Sequence, residues 1–397
     1  MQTQLADFIK HTTTGQEAAE ILASCVHCGF CNATCPTYQI LGDELDGPRG
    51  RIYLIKELLE GETASPAIQQ HLDRCLSCRS CETTCPSGVK YHRLLDIGRQ
   101  IIATRLKRAW PQQLLRQTLL ISLPYPQRFR RLLKLAYRLR PFLPGPLQAK
   151  LPKQSVTPAW PNSHHPRQVL LLQGCVQTSL APRINYATAT VLDKLGISCI
   201  GINNCCGALA YHLDQQADGL NMMRQLIDAC WPQIENGIEA IVATASGCGI
   251  QLKEYAELLA NDPEYAAKAS RFSALSKDIC EIIAEQDLSH FKPKTARIAL
   301  HNPCTLQHGQ QLSDTLVTLL TKLGFSLTSV ADAHLCCGSA GTYSILQPNI
   351  SKQLQTAKVT ALQADNPELI VTANIGCWLQ IQETAKVPVL HWIELLL

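Results

Sequence analysis

CVHCGFCNATCP at residues 25–36 and CLSCRSCETTCP at residues 75–86 carry the same spacing, C-x2-C-x2-C-x3-C-P, and their reading decides the first third of the chain. In such a run three thiolates turn toward one side and can hold three corners of a cubane cluster, while the fourth cysteine ligates the other cluster of a pair. The expected sets are therefore Cys25, Cys28, Cys31 and Cys85 for one [4Fe-4S] cluster and Cys75, Cys78, Cys81 and Cys35 for a second. Pro36 and Pro86 turn the chain away after the last ligand. Zinc sites use paired C-x2-C units and have no use for the third cysteine or the trailing Cys-Pro. The two runs lie 50 residues apart, which leaves room for GPRGRIYLIKELLEG (47–61), a stretch of helical periodicity, so a mostly helical ferredoxin-like domain is expected. His27, inside the first loop, is read as packing near the cluster or facing solvent, since four cysteines already suffice.

The chain has 397 residues and 19 cysteines. It begins MQTQLADFIK, with no charged-then-apolar leader, so the reducing cytoplasm is the expected compartment and metal binding the expected use of the thiols. No apolar run approaches the length of a membrane span. The formal net charge is +4, yet between Asp96 and Asp193 there are fifteen Lys and Arg and no acidic residue, so the remainder sums to 4 − 15 = −11. One basic belt thus joins two acidic parts. Within it RFRRLLKLAYRLR (128–140) has amphipathic helical spacing, suited to docking on an acidic protein partner, to the chain's own core, or to an anionic membrane surface. Nucleic acid is not expected, because no reading motif accompanies the charge. Seven prolines between Pro141 and Pro166 mark an extended connection.

The remainder repeats itself. VLLLQGC (169–175) corresponds to IALHNPC (298–304), NCCGA from Asn204 to LCCGS from Leu335, and IVATASGC ending at Cys248 to IVTANIGC ending at Cys377, always 129 to 131 positions apart. Two copies of one unit follow. In the first, strands are expected near 168–173, 197–202 and 239–244 with helices between them, a βαβαβ unit with a small parallel sheet. Ligands of such sheets gather beyond the carboxyl ends of the strands. Cys175, Cys205, Cys206 and Cys248 all follow expected strands, as do Cys304, Cys336, Cys337 and Cys377 in the second copy. The fold class is thus α+β and multi-domain: a helical ferredoxin domain (1–110), a basic helical and proline-rich linker (111–166), and two α/β units (167–290 and 291–397).

These residues resemble a known family. CVHCGFCNATCPTYQILGDELDGPRGRIYLIKELLEG, HLDRCLSCRSCETTCPSGVKYHRLLDIGR, TASGCGIQLKEY, HLCCGSAGTY, VTANIGC and the terminal HWIELL are similar to the iron-sulfur subunits of bacterial glycolate oxidase, within a wider group with CCG repeats that includes subunits of glycerol-3-phosphate dehydrogenase, lactate-utilisation proteins and heterodisulfide reductase. The resemblance implies a complex in which flavin-containing dehydrogenase subunits oxidise glycolate to glyoxylate. This chain would relay the electrons toward a quinone-type acceptor and lie peripherally on the inner face of the cell membrane. No G-x-G-x-x-G after a strand, Walker loop or G-x-S-x-G elbow gives it a nucleotide or flavin site of its own. The alternatives are the corresponding subunit of a glycerol-3-phosphate or lactate dehydrogenase, or a disulfide-reducing metal catalyst at the CCG units.

Relatives with an active CCG unit carry a further cysteine three residues after the last. Here Gln251 and Gln380 stand in those places. Each unit offers four thiolates, which can hold zinc, hold a further iron-sulfur cluster, or stay metal-free as small apolar groups. Cys199, Cys230 and Cys280 are read as core, and His301, His308, His334 and His391 as ordinary hydrogen-bonded or surface histidines.

Overall fold

The computed structural model describes residues 1–142, 158–289, 291 and 295–397. Much of the proline-rich connection expected over 141–166 lies outside the described residues.

Helix α1 (Thr13–Ser24) starts where Thr12 Oγ1 accepts the Gly15 N–H, and α2 (Pro48–Leu59) occupies the stretch whose periodicity foretells it. With α3 (Pro66–Asp73) and α4 (Tyr91–Arg105), these helices bury Leu22, Ile55, Leu58, Leu59, Leu72, Leu94 and Leu95 in one core. The two cysteine runs are held on its border. Helices α5 (Trp110–Ser122) and α6 (Pro126–Leu139) follow. Among the described residues no helix is long and apolar enough to cross a membrane.

In the first repeated unit β1 (Arg167–Leu172), α7 (Pro182–Lys194), β2 (Ile197–Ile202), α8 (Gln216–Glu235), β3 (Ala240–Ala243) and α9 (Ser246–Lys253) realise the expected alternation. A fourth strand, β4 (Ser276–Asp278), extends it. The second unit runs β5 (Arg297–His301), α10 (Ser313–Lys322), β6 (Ser326–Leu327), α11 (Pro348–Gln363), β7 (Leu369–Thr372), α12 (Ile375–Gln382) and β8 (Val389–His391). Both sheets are wholly parallel, in the orders β2-β1-β3-β4 and β6-β5-β7-β8. The central strands are buried on both faces, which is why they read as continuous apolar runs.

The two units form one body. A single apolar core takes Val169, Leu171 and Ile184 from the first and Leu300, Leu316 and Trp392 from the second. Ser246 N–H donates to Ala373 O at 3.1 Å, and His391 Nε2–H donates to Thr244 O at 2.9 Å. The helical domain sits against both by different means. Toward the first unit it presents charge: Arg79 pairs with Glu254, and Arg108 and Arg116 reach Asp214 at 2.6 and 3.1 Å. Toward the second it presents an apolar patch in which Leu76 and Cys78 meet Cys336, Tyr343, Ile350 and Leu354.

Candidate metal centres

In each ferredoxin-type loop the residue before the second cysteine and the residue after it both lie in the left-handed region: His27 (φ 56°) and Gly29 (φ 83°) in the first, Ser77 (φ 52°) and Arg79 (φ 62°) in the second. This winding points thiols and amides to the same side, and Ser77 N–H reaches Cys75 Sγ at 3.4 Å. Cys25, Cys28, Cys31 and Cys85 line one cavity; Cys35, Cys75, Cys78 and Cys81 line another. Pro48, Cys81 and Tyr91 line both, so the two cavities share a wall. The four cysteines of each expected set line a common cavity, and Cys81 also reaches the first. Burial, and then the neighbouring Cys25 and Cys28, push the Cys31 thiol up to about 11. Uncompensated thiolates crowded in this way call for a cation or cluster among them. His27 lines the first cavity, its ring edge-on to Tyr53.

The second cavity has a cationic floor. Arg51 is buried beside it and donates to Thr37 Oγ1 (3.1 Å), which lies 3.3 Å from Cys35 Sγ. Burial alone would lower the Arg51 pKa, but Cys75, Tyr91, Cys35 and Asp46 around it raise it instead. Asp46, fully buried, takes Arg74 at 2.7 Å, His71 at 3.0 Å and Arg51 at 3.4 Å. Among the described residues that line the first cavity no arginine is buried, Arg49 being partly exposed, and Cys28 there is exposed.

At the carboxyl end of the first sheet Cys175, Cys205, Cys206 and Cys248 converge. Cys205 hydrogen-bonds Cys175 and Cys206, which drives its thiol well down and theirs well up. Gly207, at φ +82°, ends this CCG turn; a Cβ there would come within 2.7 Å of Gly219 O on α8. Gly338 does the same in the second unit against Ser351 O at 2.6 Å. The turn is thus pressed onto the following helix in both copies.

In the second unit Cys304 Sγ lies 4.0 Å from Cys336 Sγ, and Cys377 hydrogen-bonds Cys337. Two further groups join them. His301 is hydrogen-bonded as expected, its Nδ1 lying 2.9 Å from Thr372 Oγ1, and the ligand atoms of His301, Cys337 and Cys377 all fall within 4.8 Å of one another. It is buried, and burial followed by the Lys358 charge lowers its pKa to about 3. Lys358 is buried too and donates to Asp332 O at 2.7 Å; Cys336, Cys337 and Cys304 partly offset the lowering that burial imposes on it. The other histidines keep to expectation: His308 bridges Thr83 Oγ1 and His334 O, both at 2.9 Å, and His391 is held by Thr244. Cys230 and Cys280 are core, and Cys199 is half-buried against it. The second thiol group also adjoins the ferredoxin-type sites. Burial and, after it, the neighbouring Cys304 push the Cys78 thiol well up.

Comparison with known proteins agrees with this division. Residues 21–89 match the family described as a 4Fe-4S dicluster domain, and residues 169–253 and 298–382 match the cysteine-rich CCG domain. A crystal structure of a hypothetical protein from Helicobacter pylori superposes on 96% of this chain and 71% of its own, with a TM-score of 0.54 at 13% identity, a likeness of fold alone. Lactate utilization protein A of Bacillus velezensis is 27% identical over 58% of this chain and 98% of itself. The probable glycolate oxidase iron-sulfur subunit of Bacillus subtilis is 31% identical over 95% of this chain and 93% of itself. The glycolate oxidase iron-sulfur subunit of Escherichia coli K12 is 52% identical over 100% of this chain and 98% of itself. Matched over its whole length at that level, with both family models present in it, this chain belongs to the family of glycolate oxidase iron-sulfur subunits.

Proposed function

We propose that this chain is the electron-transfer subunit of a glycolate dehydrogenase complex, located in the cytoplasm at the inner face of the cell membrane. Flavin-bearing partner subunits oxidise glycolate to glyoxylate, and a quinone-type acceptor receives the electrons. The observation that carries the reading is the pair of cysteine-lined cavities that share Cys81 and Tyr91 as a wall. Cys25, Cys28, Cys31 and Cys85 would hold one [4Fe-4S] cluster, and Cys75, Cys78, Cys81 and Cys35 the other. When bound, such clusters supply one-electron donor and acceptor chemistry. The chain's own residues set the conditions. Arg51, fixed by Asp46 and the His71 carbonyl, places a permanent positive charge beside the second site and so favours added negative charge there. The first site has an exposed cysteine and is the natural side for a partner's approach.

The second CCG unit would hold a third, thiolate-bound metal centre through Cys304, Cys336, Cys337 and Cys377, with His301 at its edge and Lys358 balancing its charge. The first unit would keep Cys175, Cys205, Cys206 and Cys248 as thiols. Anaerobic purification followed by iron, sulfide, zinc and electron paramagnetic resonance analysis tests all of this. About eight iron and eight sulfide with one zinc, or about twelve iron, supports the reading and tells zinc from a further cluster. Little iron with abundant zinc overturns it.

A further inference from the structure

Helix α6 buries none of its fourteen residues. Its side toward the body is made by Phe129, Leu133, Ala136 and Tyr137, each half-buried. A second apolar stripe points away. Leu132, Leu135, Leu139 and Phe142, spaced three and four apart, are 51, 51, 45 and 85% exposed. Alongside this stripe run Arg131, Lys134 and Arg138, exposed and without an acidic partner among the described residues. Helix α5, joined to α6 by three residues, repeats the feature with Trp110 (76% exposed), Leu114 and Ile121. These helices are not loosely attached. Arg116 of α5 is tied to Asp73 and Asp214 at 3.2 and 3.1 Å, so the apolar stripes are exposed on an anchored support.

The chain's own core is therefore not what covers the outer stripe. An exposed row of leucines edged by Arg and Lys, with Trp110, Tyr125 and Phe142 at its ends, matches what lies in the boundary layer of a bilayer: apolar side chains in the acyl region, aromatic rings at headgroup depth and cations against anionic headgroups. The charge is of one sign, with no acidic residue anywhere from 97 to 192, so the surface that the helices meet is anionic. We infer that α5 and α6 form a membrane-docking hairpin that seats the protein on an anionic lipid surface. The inference deepens the reading above, since a quinone-type acceptor resides in the membrane. It rests on the helices and not on the metal content.

The test is flotation of the full-length, iron-loaded protein with vesicles of phosphatidylglycerol and phosphatidylcholine, against phosphatidylcholine alone. The protein should float with the anionic vesicles and be released as salt is raised. The double variant Leu135→Glu/Leu139→Glu should stay at the bottom of the gradient. The triple variant Arg131→Gln/Lys134→Gln/Arg138→Gln should bind about a hundredfold more weakly, at roughly fivefold per cation. Unchanged visible absorption and thermal midpoint show that each variant is folded and loaded. Failure of the wild type to float, or flotation of the Glu variant equal to wild type, overturns the inference. So does loss of a purified flavin-bearing subunit by the Glu variant when the wild type ignores vesicles, which would assign the stripe to that subunit. Iron analysis of the same samples reports on the electron-transfer reading independently.

Discussion

Where β1 ends in Leu172, its counterpart β5, 129 positions later, ends in His301; where α8 carries Ile227, α11, 131 positions later, carries Lys358. Both units keep the four cysteines, the left-handed CCG glycine and the strand order. They differ in what surrounds the thiols. In the first unit the neighbours are apolar or hydrogen-bonded to backbone, as Tyr255 is to Cys206 O at 2.7 Å, and the thiols answer one another. The second unit adds an imidazole and a buried ammonium and lies against Cys78 of the ferredoxin-type sites. A duplicated framework is kept while two side chains outside the repeated motif change what surrounds its thiols.

The largest effect should come from breaking the thiol sets in turn. Cys337→Ser should cost the chain one whole metal centre by elemental analysis, whereas Cys206→Ser should leave metal content unchanged. Equal loss in both would erase the distinction between the units.

A second contrast sits at the ends of the fourth strands. Asp278 and His391 occupy equivalent places, both fully buried, and each caps the helix that follows: Asp278 accepts Cys280 N–H at 3.0 Å and His391 Nδ1 accepts Ile393 N–H at 3.3 Å. Burial raises Asp278 from 3.8 to about 6 and lowers His391 from 6.5 to about 4. The signs oppose. Asp278 contributes stability that is complete below its unfolded value and is lost as pH rises through about 6; His391 contributes stability that is complete above 6.5 and is lost as pH falls through about 4. Over the full window each is worth on the order of 3 kcal/mol. Thermal midpoints taken from about pH 4 to 7 should therefore show Asp278→Asn steepening the loss of stability toward acid and His391→Asn flattening it.

Lys358→Met tests the altered interior more gently. It should weaken metal retention in the second unit about 10- to 100-fold in a chelator competition, the usual cost of a lost outer partner, with the iron of the ferredoxin-type sites unchanged. Retention equal to wild type would reduce Lys358 to packing. The smallest effect belongs to docking: Tyr343→Phe removes the hydrogen bond to Arg74 O and should lower global stability by about 1 kcal/mol in denaturant titration.

Much of this was legible before any coordinates. Cysteine spacing groups the eight thiols as the two cavities do, apart from Cys81, which lines both, because three thiols come from one loop and the fourth from the other run. The repeat foretells the two sheets, and β2 falls on the expected 197–202. The fourth strands were missed, since three residues are too few to display a period of two. Lys358 was missed for another reason, since it reaches the thiols only through helix packing and its one signal is a lysine where the first unit has isoleucine. His301 was singled out from the sequence, but its place beside Cys337 and Cys377 follows only from strand pairing.

Cys28 stands exposed at the first cavity, whereas at the second Cys78 is buried against the second CCG unit and Cys81 in the core of the helical domain. Dioxygen and peroxide arriving from solvent should therefore meet the outer site long before the inner one, and aerobic ageing should proceed in two stages, a fast partial bleaching followed by a slow one. Damage would start at the outer site, the side proposed for a partner's approach, so a partner bound there should slow the fast stage.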